Sequence, residues 1–226
     1  MIVAANTPMF LPPLSFFIQW AFSDRMILAE NTQFVKHAFH NRSLAISENG
    51  PLWLTVPVLT KGMGKQLIRD IQINQDVNWQ RKIKKALANC YSKSSFYDFY
   101  SDLLFDLIDR PWQNLLDLNL SLIKTLGGIW NIETELQSST QANIQWDDQE
   151  KFAKRFRELN ATTYLADPAH KNYLSPPLFK RYGVELKFVQ FPKRLPEASA
   201  PAGVLHWLFN YGPELQLFLK KPIPTK

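Results

Sequence analysis

The sequence lacks the short motifs by which many enzyme classes are recognised. It contains no Gly-x-Gly-x-x-Gly, no P-loop, no Gly-x-Ser-x-Gly elbow and no Cys-x-x-Cys pair. Each of these motifs marks one way of holding a phosphate, a nucleophile or a redox centre. Their absence excludes the best-marked enzyme classes, so any chemistry must rest on less familiar arrangements.

Cysteine and long apolar runs are also scarce. The single cysteine, Cys90, cannot form an internal disulfide, and one thiol in a chain of this length is typical of a reducing compartment. The most apolar stretch, residues 9–22, is interrupted by Pro12, Pro13 and Gln19. It is shorter than the roughly 20 apolar residues that cross a membrane. We therefore expect a cytoplasmic protein without a membrane span.

Aromatic residues are plentiful, with 16 Phe, 7 Trp and 7 Tyr among 226 residues. Burying them supplies a large apolar surface, which suits one domain over residues 1–226 with a frayed tail at 220–226. The formal net charge of +6 favours phosphate-bearing ligands. The partner we expect is a phosphate-bearing small molecule or a sugar substrate.

The densest basic cluster lies on one predicted helix and just beyond its end. Its members are Arg81, Lys82, Lys84, Lys85 and Lys93. Ile83, Leu87 and Tyr91 recur between these charges at helical spacing, which is typical of a solvated helix face. A nucleic-acid interface is the weaker alternative, because no recognition module accompanies the charges. Nucleic acid is therefore a disfavoured partner.

The N-terminal third predicts an α/β fold. A strand at residues 1–5, a helix at 14–22 and a strand at 25–30 have the order of a βαβ crossover, which implies parallel pairing. Asn49-Gly50 between apolar runs predicts a β-hairpin across residues 44–58. Residues 68–73 are predicted as a further extended segment.

Helices dominate the predicted middle of the chain. We expect helices over residues 79–91 and 95–108, and a third that stops at Gly127-Gly128. The polar segment 137–145 is predicted as a flexible loop, a helix follows from residue 148, and strands are predicted at 162–165 and 184–188. The predicted fold is thus an α/β domain whose mixed sheet carries an N-terminal βαβ crossover, a β-hairpin region and a helical middle segment packed on it.

Three stretches of the chain resemble the WbqC-like family. They are the Pro-rich run at residues 7–17, the run at 30–42 with the strand at 54–58, and the run at 160–165 with Tyr173-Leu174 and residues 208–213. The sequence departs from the common pattern of that family at Thr7 and Asn31. The resemblance implies a context of bacterial O-antigen or other surface-polysaccharide genes, and it brings no catalytic residue set.

The candidate site is a polar cluster after the second predicted strand. Its members, with one residue from a later strand, are Glu30, Gln33, Lys36, Asn41, Arg42 and Tyr164. A segment that leaves the carboxyl end of a parallel strand delivers its side chains to the ligand crevice. Lys36 and Arg42 would bind an anionic group, Glu30 would act as a general base, and Asn41 and Tyr164 would orient the substrate. The alternative is that Arg42 and Glu30 form an ion pair that fixes the loop.

Two further features of the sequence are candidates for a phosphate site and a zinc site. The start of the first helix, near Pro13, could bind a phosphate through its unpaired backbone N–H groups. His37 and His40 are three residues apart, but two histidines without a third ligand make a poor zinc site. The sequence therefore assigns no metal, no cofactor and no oligomeric state.

The function predicted from the resemblance and the polar cluster is a transferase-like enzyme of surface-polysaccharide biosynthesis. Its donor would be a phosphate-bearing sugar or an activated acyl or aminoacyl group. The alternative is a non-catalytic sugar- or nucleotide-binding or assembly protein of the same pathway, which explains the missing catalytic motifs more simply.

Overall fold

A computed structural model describes residues 1–146, 148–191 and 203–219. Its centre is a parallel sheet of five strands in the spatial order β5-β2-β1-β6-β7. The strands are β1 (Ile2–Asn6), β2 (Arg25–Leu28), β5 (Leu136–Ser138), β6 (Thr163–Ala166) and β7 (Glu185–Phe188). The helix α1 (Leu14–Phe22) connects β1 to β2. The predicted α/β class and its N-terminal βαβ crossover are confirmed.

The two faces of this sheet bury different side chains, as the two-residue period of a strand requires. Ala4 faces a layer built mainly from α1, α4 (Leu115–Ile129) and α8 (Val204–Tyr211). Its neighbours Val3 and Ala5 face a layer built from α6 (Gln149–Glu158) and α7 (Pro176–Arg181). Helices therefore cover both faces, which is the arrangement that parallel sheets require.

The predicted β-hairpin forms a separate two-stranded sheet. Strand β3 (Arg42–Ser47) pairs antiparallel with β4 (Gly50–Thr55), and Gly50 adopts a φ of 104° at the turn. Glycine takes this backbone conformation without a steric penalty. The antiparallel strands thus stand beside the parallel sheet instead of joining it.

The middle of the chain is helical, as predicted, and the ends of two of its three helices differ from the predicted ones. Helix α2 (Trp79–Tyr91) has the predicted bounds, and Asn78 caps it by accepting from the backbone N–H of Arg81. Helix α3 is Tyr97–Asp109. Helix α4 begins at Leu115, after the Asn114 cap, and continues through Gly127-Gly128 to Ile129.

Two local predictions are wrong at least in part. The segment 68–73, predicted as extended, begins with the 3₁₀ helix Ile68–Asp70, and its second half makes isolated antiparallel bridges at Gln72 and Ile73. The segment 137–145, predicted as a loop, holds most of β5 and then α5 (Ser139–Ala142). The short helix α9 (Gln216–Leu219) ends the described chain, so the frayed tail predicted at 220–226 lies outside the described residues.

The surface of α2 carries the basic cluster as the sequence predicts. Arg81, Lys82 and Lys85 are exposed, whereas Ile83 and Leu87 are buried. Among the described residues, no helix is long and apolar enough to cross a membrane.

Candidate functional site

The carboxyl edge of the parallel sheet has a point at which the chain order reverses. Along the chain, β1 is followed by β2 and β5 on one side, and β6 and β7 are then added on the other side. The carboxyl ends of β1 and β6 meet at this reversal, which is where open α/β sheets bind their ligands. The side chains around Asn6 and Ala166 are therefore the first place to look for a site.

A cavity of about 240 Å³ opens at this reversal. We call it the aromatic cavity, because its walls include Trp146, Phe152, Tyr164 and Tyr173. It also touches the ends of β1 and β2 and the polar side chains of Asn6, Thr7, Thr32, Gln149 and His170. Aromatic walls with a few polar groups are the usual lining of small-molecule sites.

The walls of the aromatic cavity are firmly held. Tyr164 is 3% exposed and packs against Phe152 with ring centroids 5.2 Å apart. Burial, with a smaller contribution from the negative charge of Asp167, raises the pKa of Tyr164 far above its ordinary value. Tyr164 therefore remains a neutral phenol. Tyr173 is 75% exposed at the mouth of the cavity.

Asn31 holds Trp146 in place. Its side-chain oxygen accepts a hydrogen bond from the indole N–H of Trp146 at 2.8 Å. It also lies 2.6 Å from the hydroxyl of Ser139, whose single proton it shares with the carboxylate of Glu30. The amide group of Asn31 donates to the carbonyl of Ile144. The position at which this sequence departs from the family pattern thus supports a wall of the cavity.

A second, shallower hollow adjoins the aromatic cavity. It measures about 490 Å³, and it shares Thr32 and Trp146 with the aromatic cavity. We call it the outer hollow; it also includes Gln33 and Gln145. Gln33 is therefore one of the predicted site residues that the structure places near Tyr164.

A network of amides lies at the end of β1, where Asn6 lines the aromatic cavity. The amide group of Asn6 donates to the side-chain oxygen of Gln19 at 3.0 Å. Gln19 is fully buried and donates in turn to the carbonyls of Ala5 and Leu165. Because these bonds join β1, α1 and β6, the reversal point is rigid.

The start of α1 is not open to a phosphate. The hydroxyl of Ser15 donates to the carboxylate of Asp167 at 2.8 Å, and both residues are buried. The backbone N–H of Val204 in α8 donates to the carbonyl of Pro12. A buried carboxylate therefore already contacts the first turn of α1, and its negative charge opposes a phosphate there.

Glu30 lies at the end of β2 and is 7% exposed. One of its oxygens accepts from the Ser138 hydroxyl at 2.5 Å and from the Thr140 backbone N–H. The other accepts from the backbone N–H and the hydroxyl of Ser139, both at 3.0 Å. Glu30 therefore caps the start of α5 and joins it to the sheet.

The protonation of Glu30 follows from these contacts. Burial by itself would raise the pKa of the carboxyl group, but the hydrogen bonds from Ser138, Thr140 and Ser139 outweigh burial and hold the pKa below its ordinary value. A carboxylate with four hydrogen bonds and a low pKa is a weak proton acceptor. This geometry favours a structural role for Glu30.

Arg42 and Asn41 form the entry to the hairpin. The guanidinium group of Arg42 donates to the carbonyl of His37 and lies 4.0 Å above the ring of Trp53. The amide group of Asn41 donates to the carbonyl of Val56 at 2.8 Å. Both side chains are therefore committed to contacts within the protein.

Lys36 is exposed on the loop that leaves β2. The cavity beside Glu30 is bordered by the cations Arg69 and Lys124, and Lys36 and Arg42 are not part of its lining. The structure thus places Gln33 and Tyr164 at adjoining hollows, and separates Lys36 and Arg42 from the cavity beside Glu30. The roles assigned to the six residues remain predictions.

Sequence reasoning missed most of the aromatic cavity. Trp146 follows the segment predicted as a flexible loop, and Gln149 and His170 carry no local signal. Phe152 falls in the helix predicted from residue 148. Tyr173 follows the predicted strand at 162–165, and the strand-end rule applied to that strand points to the crevice for Tyr173 but assigns nothing to His170.

Comparisons with known proteins give the family. A family model described as the WbqC-like protein family matches residues 7–202. The uncharacterized protein Rv1507c of Mycobacterium tuberculosis (strain ATCC 25618 / H37Rv) is 26% identical to this chain over 226 residues, which is 97% of this chain and 96% of that protein. No solved structure matches the chain. Since the family model spans most of its length, the chain belongs to the WbqC-like protein family.

Proposed function

We propose that this protein binds a phosphate-bearing sugar, such as a nucleotide sugar, at the aromatic cavity and acts as a cytoplasmic transferase in bacterial surface-polysaccharide biosynthesis of the O-antigen type. The observation that carries the proposal is the coincidence of the aromatic cavity with the reversal point of the parallel sheet. Ligands of open parallel sheets bind at such points because strand-end loops converge there.

The lining of the aromatic cavity suits a sugar ring or a base. The faces of Trp146 and Tyr173 pack well against the apolar face of such a ring, and Thr7, Thr32 and Gln149 offer hydrogen bonds to hydroxyl or amide groups. The cavity alone is small for a nucleotide sugar. The adjoining outer hollow supplies the additional room.

The phosphate group would lie toward the outer hollow. Gln33 lines that hollow, and Lys36 is exposed three residues further along the same loop. A lysine ammonium group is a point charge suited to phosphate. Arg42 holds this loop through the carbonyl of His37, so we assign it to positioning Lys36.

The proposed transfer needs a group that accepts a proton from the attacking hydroxyl or amine. We assign this role to His170, which lines the aromatic cavity at the end of the 3₁₀ helix Pro168–His170. Histidine is the commonest general base in proteins. An activated acyl or aminoacyl group is the other donor that this arrangement would serve.

A non-catalytic binding protein is the second candidate. The observation that favours it is the commitment of Glu30 to four hydrogen bonds at the start of α5. Under this candidate, His170 and the aromatic walls recognise the sugar or nucleotide without turning it over.

Calorimetric titration of the purified protein with a panel of nucleotide sugars tests the proposal, with mass spectrometry to detect turnover. We expect Tyr173→Ala to weaken binding by about tenfold, the equivalent of about 1.4 kcal/mol, because an exposed ring at the mouth is lost. Phe99→Ala is the matched control, since Phe99 is 78% exposed on α3. Lys36→Ala should weaken binding similarly, whereas Lys85→Ala on α2 should not.

His170→Gln separates the two candidates. Normal affinity with lost turnover supports the transferase, and binding by the unaltered protein without any product over long incubation supports the non-catalytic candidate. If no nucleotide sugar binds, or if Tyr173→Ala and Lys36→Ala leave the affinity unchanged, the proposed site is wrong.

A further inference from the structure

A cavity of about 360 Å³ lies between α4 and the outer strand β5. We call it the α4 cavity. Its wall includes Leu28, which belongs to the core on the α1 and α4 face of the sheet, whereas Phe152 and Tyr164 of the aromatic cavity belong to the opposite core. The two cavities have no lining residue in common. The α4 cavity is thus a separate feature that the proposed function does not use.

The interior of the α4 cavity is apolar. Leu28, Leu116, Leu120 and Leu136 line it, and all but Leu28 are only partly buried. Leu116 and Leu120 are four residues apart on α4, so both project from one face of that helix. A hydrocarbon segment placed here would remove the exposed parts of these leucines from water.

Two cations border this apolar surface. Arg69 is 44% exposed at its side chain, and its guanidinium group donates to the hydroxyl of Thr140 at 3.4 Å. Lys124 is exposed on α4, one turn beyond Leu120. Asp70 lies 3.9 Å from Arg69, a weak exposed pair. The cations are therefore available to a ligand.

The carboxylate of Glu30 also lines the α4 cavity, so its ionisable lining consists of two positive charges, on Arg69 and Lys124, and one negative charge. The two oxygens of Glu30 are directed to Ser138, Ser139 and Thr140 at the start of α5. The positive end of a helix and four hydrogen bonds already stabilise its charge. The cavity thus keeps a cationic rim.

We propose that the α4 cavity binds an amphiphilic anion: an acyl chain of medium length that ends in a carboxylate or phosphate group. The leucines would contact the chain, and Arg69 and Lys124 would bind the anionic head group. At about 30 Å³ for each water-sized group, the cavity has room for roughly a dozen heavy atoms, the size of decanoate. This proposal stands independently of the proposed function at the aromatic cavity.

Titration of the full chain with decanoate, followed by NMR or calorimetry, tests the proposal. We expect saturable binding of one molecule. Decanol should bind at least about tenfold more weakly because it lacks the charge. The double variant Arg69→Gln/Lys124→Gln should weaken decanoate binding by about tenfold or more and reduce its dependence on salt. Lys82→Gln/Lys85→Gln, two exposed charges on α2, is the matched control.

Leu120→Trp fills the cavity and should abolish binding. Should this variant fail to fold, the Arg69→Gln/Lys124→Gln variant still tests the proposal, because both of its altered side chains are exposed and the fold does not depend on them. Co-sedimentation with anionic phosphatidylglycerol vesicles separates two sources of the anion. If the protein binds the vesicles and decanoate releases it from them, the ligand is a membrane lipid. If the protein binds decanoate but not the vesicles, the ligand is a free acyl anion. Decanoate binding that is absent, or that neither variant alters, overturns the proposal.

Discussion

Replacing Glu30 with glutamine tests whether this residue is a structural group or a base. Each Glu30 oxygen accepts one backbone N–H and one serine hydroxyl. A glutamine keeps only one oxygen, so its NH₂ group must face the backbone N–H of either Ser139 or Thr140. The hydroxyl on that side can rotate and accept, but the backbone N–H cannot.

The cost of this change follows from the lost acceptor and the lost charge. The backbone N–H of Thr140 also reaches the hydroxyl oxygen of Ser138 at 3.1 Å, so the main loss is that of hydrogen bonds to a charged acceptor. Such a bond contributes about 1.5–3 kcal/mol, so we expect Glu30→Gln to lower the free energy of unfolding by about 2 kcal/mol at pH 7. In a chain of this size each kcal/mol shifts the melting temperature by about 2–4 °C, which predicts a shift of about 4–8 °C. Urea unfolding and thermal melts followed by circular dichroism would measure both.

The pH dependence of this difference has a definite sign. Because the folded protein holds the pKa of Glu30 below its ordinary value of 4.5, the carboxylate stabilises the fold above that pH. The stabilisation is lost as the pH falls through the lowered folded-state pKa. The difference in the free energy of unfolding between wild type and Glu30→Gln should therefore be largest near pH 7 and decrease in acid.

Glu158→Gln is the matched control for Glu30→Gln. Glu158 pairs with Arg155 at 3.0 Å on the surface, and exposed pairs contribute about 0–1 kcal/mol. Equal melting temperatures for Glu30→Gln and wild type, together with lost turnover, would refute the structural reading and restore Glu30 as a base.

Two further predictions concern packing and protonation. Gly127→Ala should destabilise the protein by about 1–3 kcal/mol, because the new methyl group would lie 2.2 Å from the ring of Trp20. Gly128→Ala has open space around it and should stabilise α4 by about 0.5–1 kcal/mol. Equal melting temperatures for the two variants would contradict this packing. His40 accepts from the backbone N–H of Val35, and burial lowers its pKa from 6.5 to about 4, so stability present above pH 6.5 should fall by up to about 3 kcal/mol as the pH drops to 4. The variant His40→Asn keeps an acceptor but has no titrating ring. If urea titrations showed that its free energy of unfolding falls by the same amount between pH 6.5 and pH 4, the role given to His40 would be wrong.

The sequence predicts those elements whose signals are local. The bounds of α2 follow from the Asn78 cap and the apolar spacing of Ile83, Leu87 and Tyr91. The hairpin follows from Asn49-Gly50 because this turn needs residues that tolerate positive φ.

Elements that depend on distant partners could not be predicted in this way. Strand β5 has three residues, and it is extended because it pairs with β2 across more than a hundred residues of sequence. Its polar composition has the local signature of a loop. The 3₁₀ helix Ile68–Asp70 likewise buries Ile68, and the antiparallel bridges on either side of it, at Leu67, Gln72 and Ile73, have partners in three separate segments of the chain.

The strand-end rule directs attention to the carboxyl edge of the sheet, and Gln33 and Tyr164 lie at adjoining hollows there. Glu30, the predicted base, instead accepts hydrogen bonds from the start of α5, and Asn31 accepts one from Trp146. Those contacts form only once β5 is in place, so no local pattern could reveal them.

The proposed function requires a sugar or nucleotide ligand in the aromatic cavity. The most direct measurement is a crystal structure of the protein soaked with the nucleotide sugar that binds most tightly in the titration panel. We predict difference density for the sugar or base between Trp146 and Tyr173, with the phosphates toward Gln33. Density for that ligand at any other surface, with the aromatic cavity unchanged, would contradict the account.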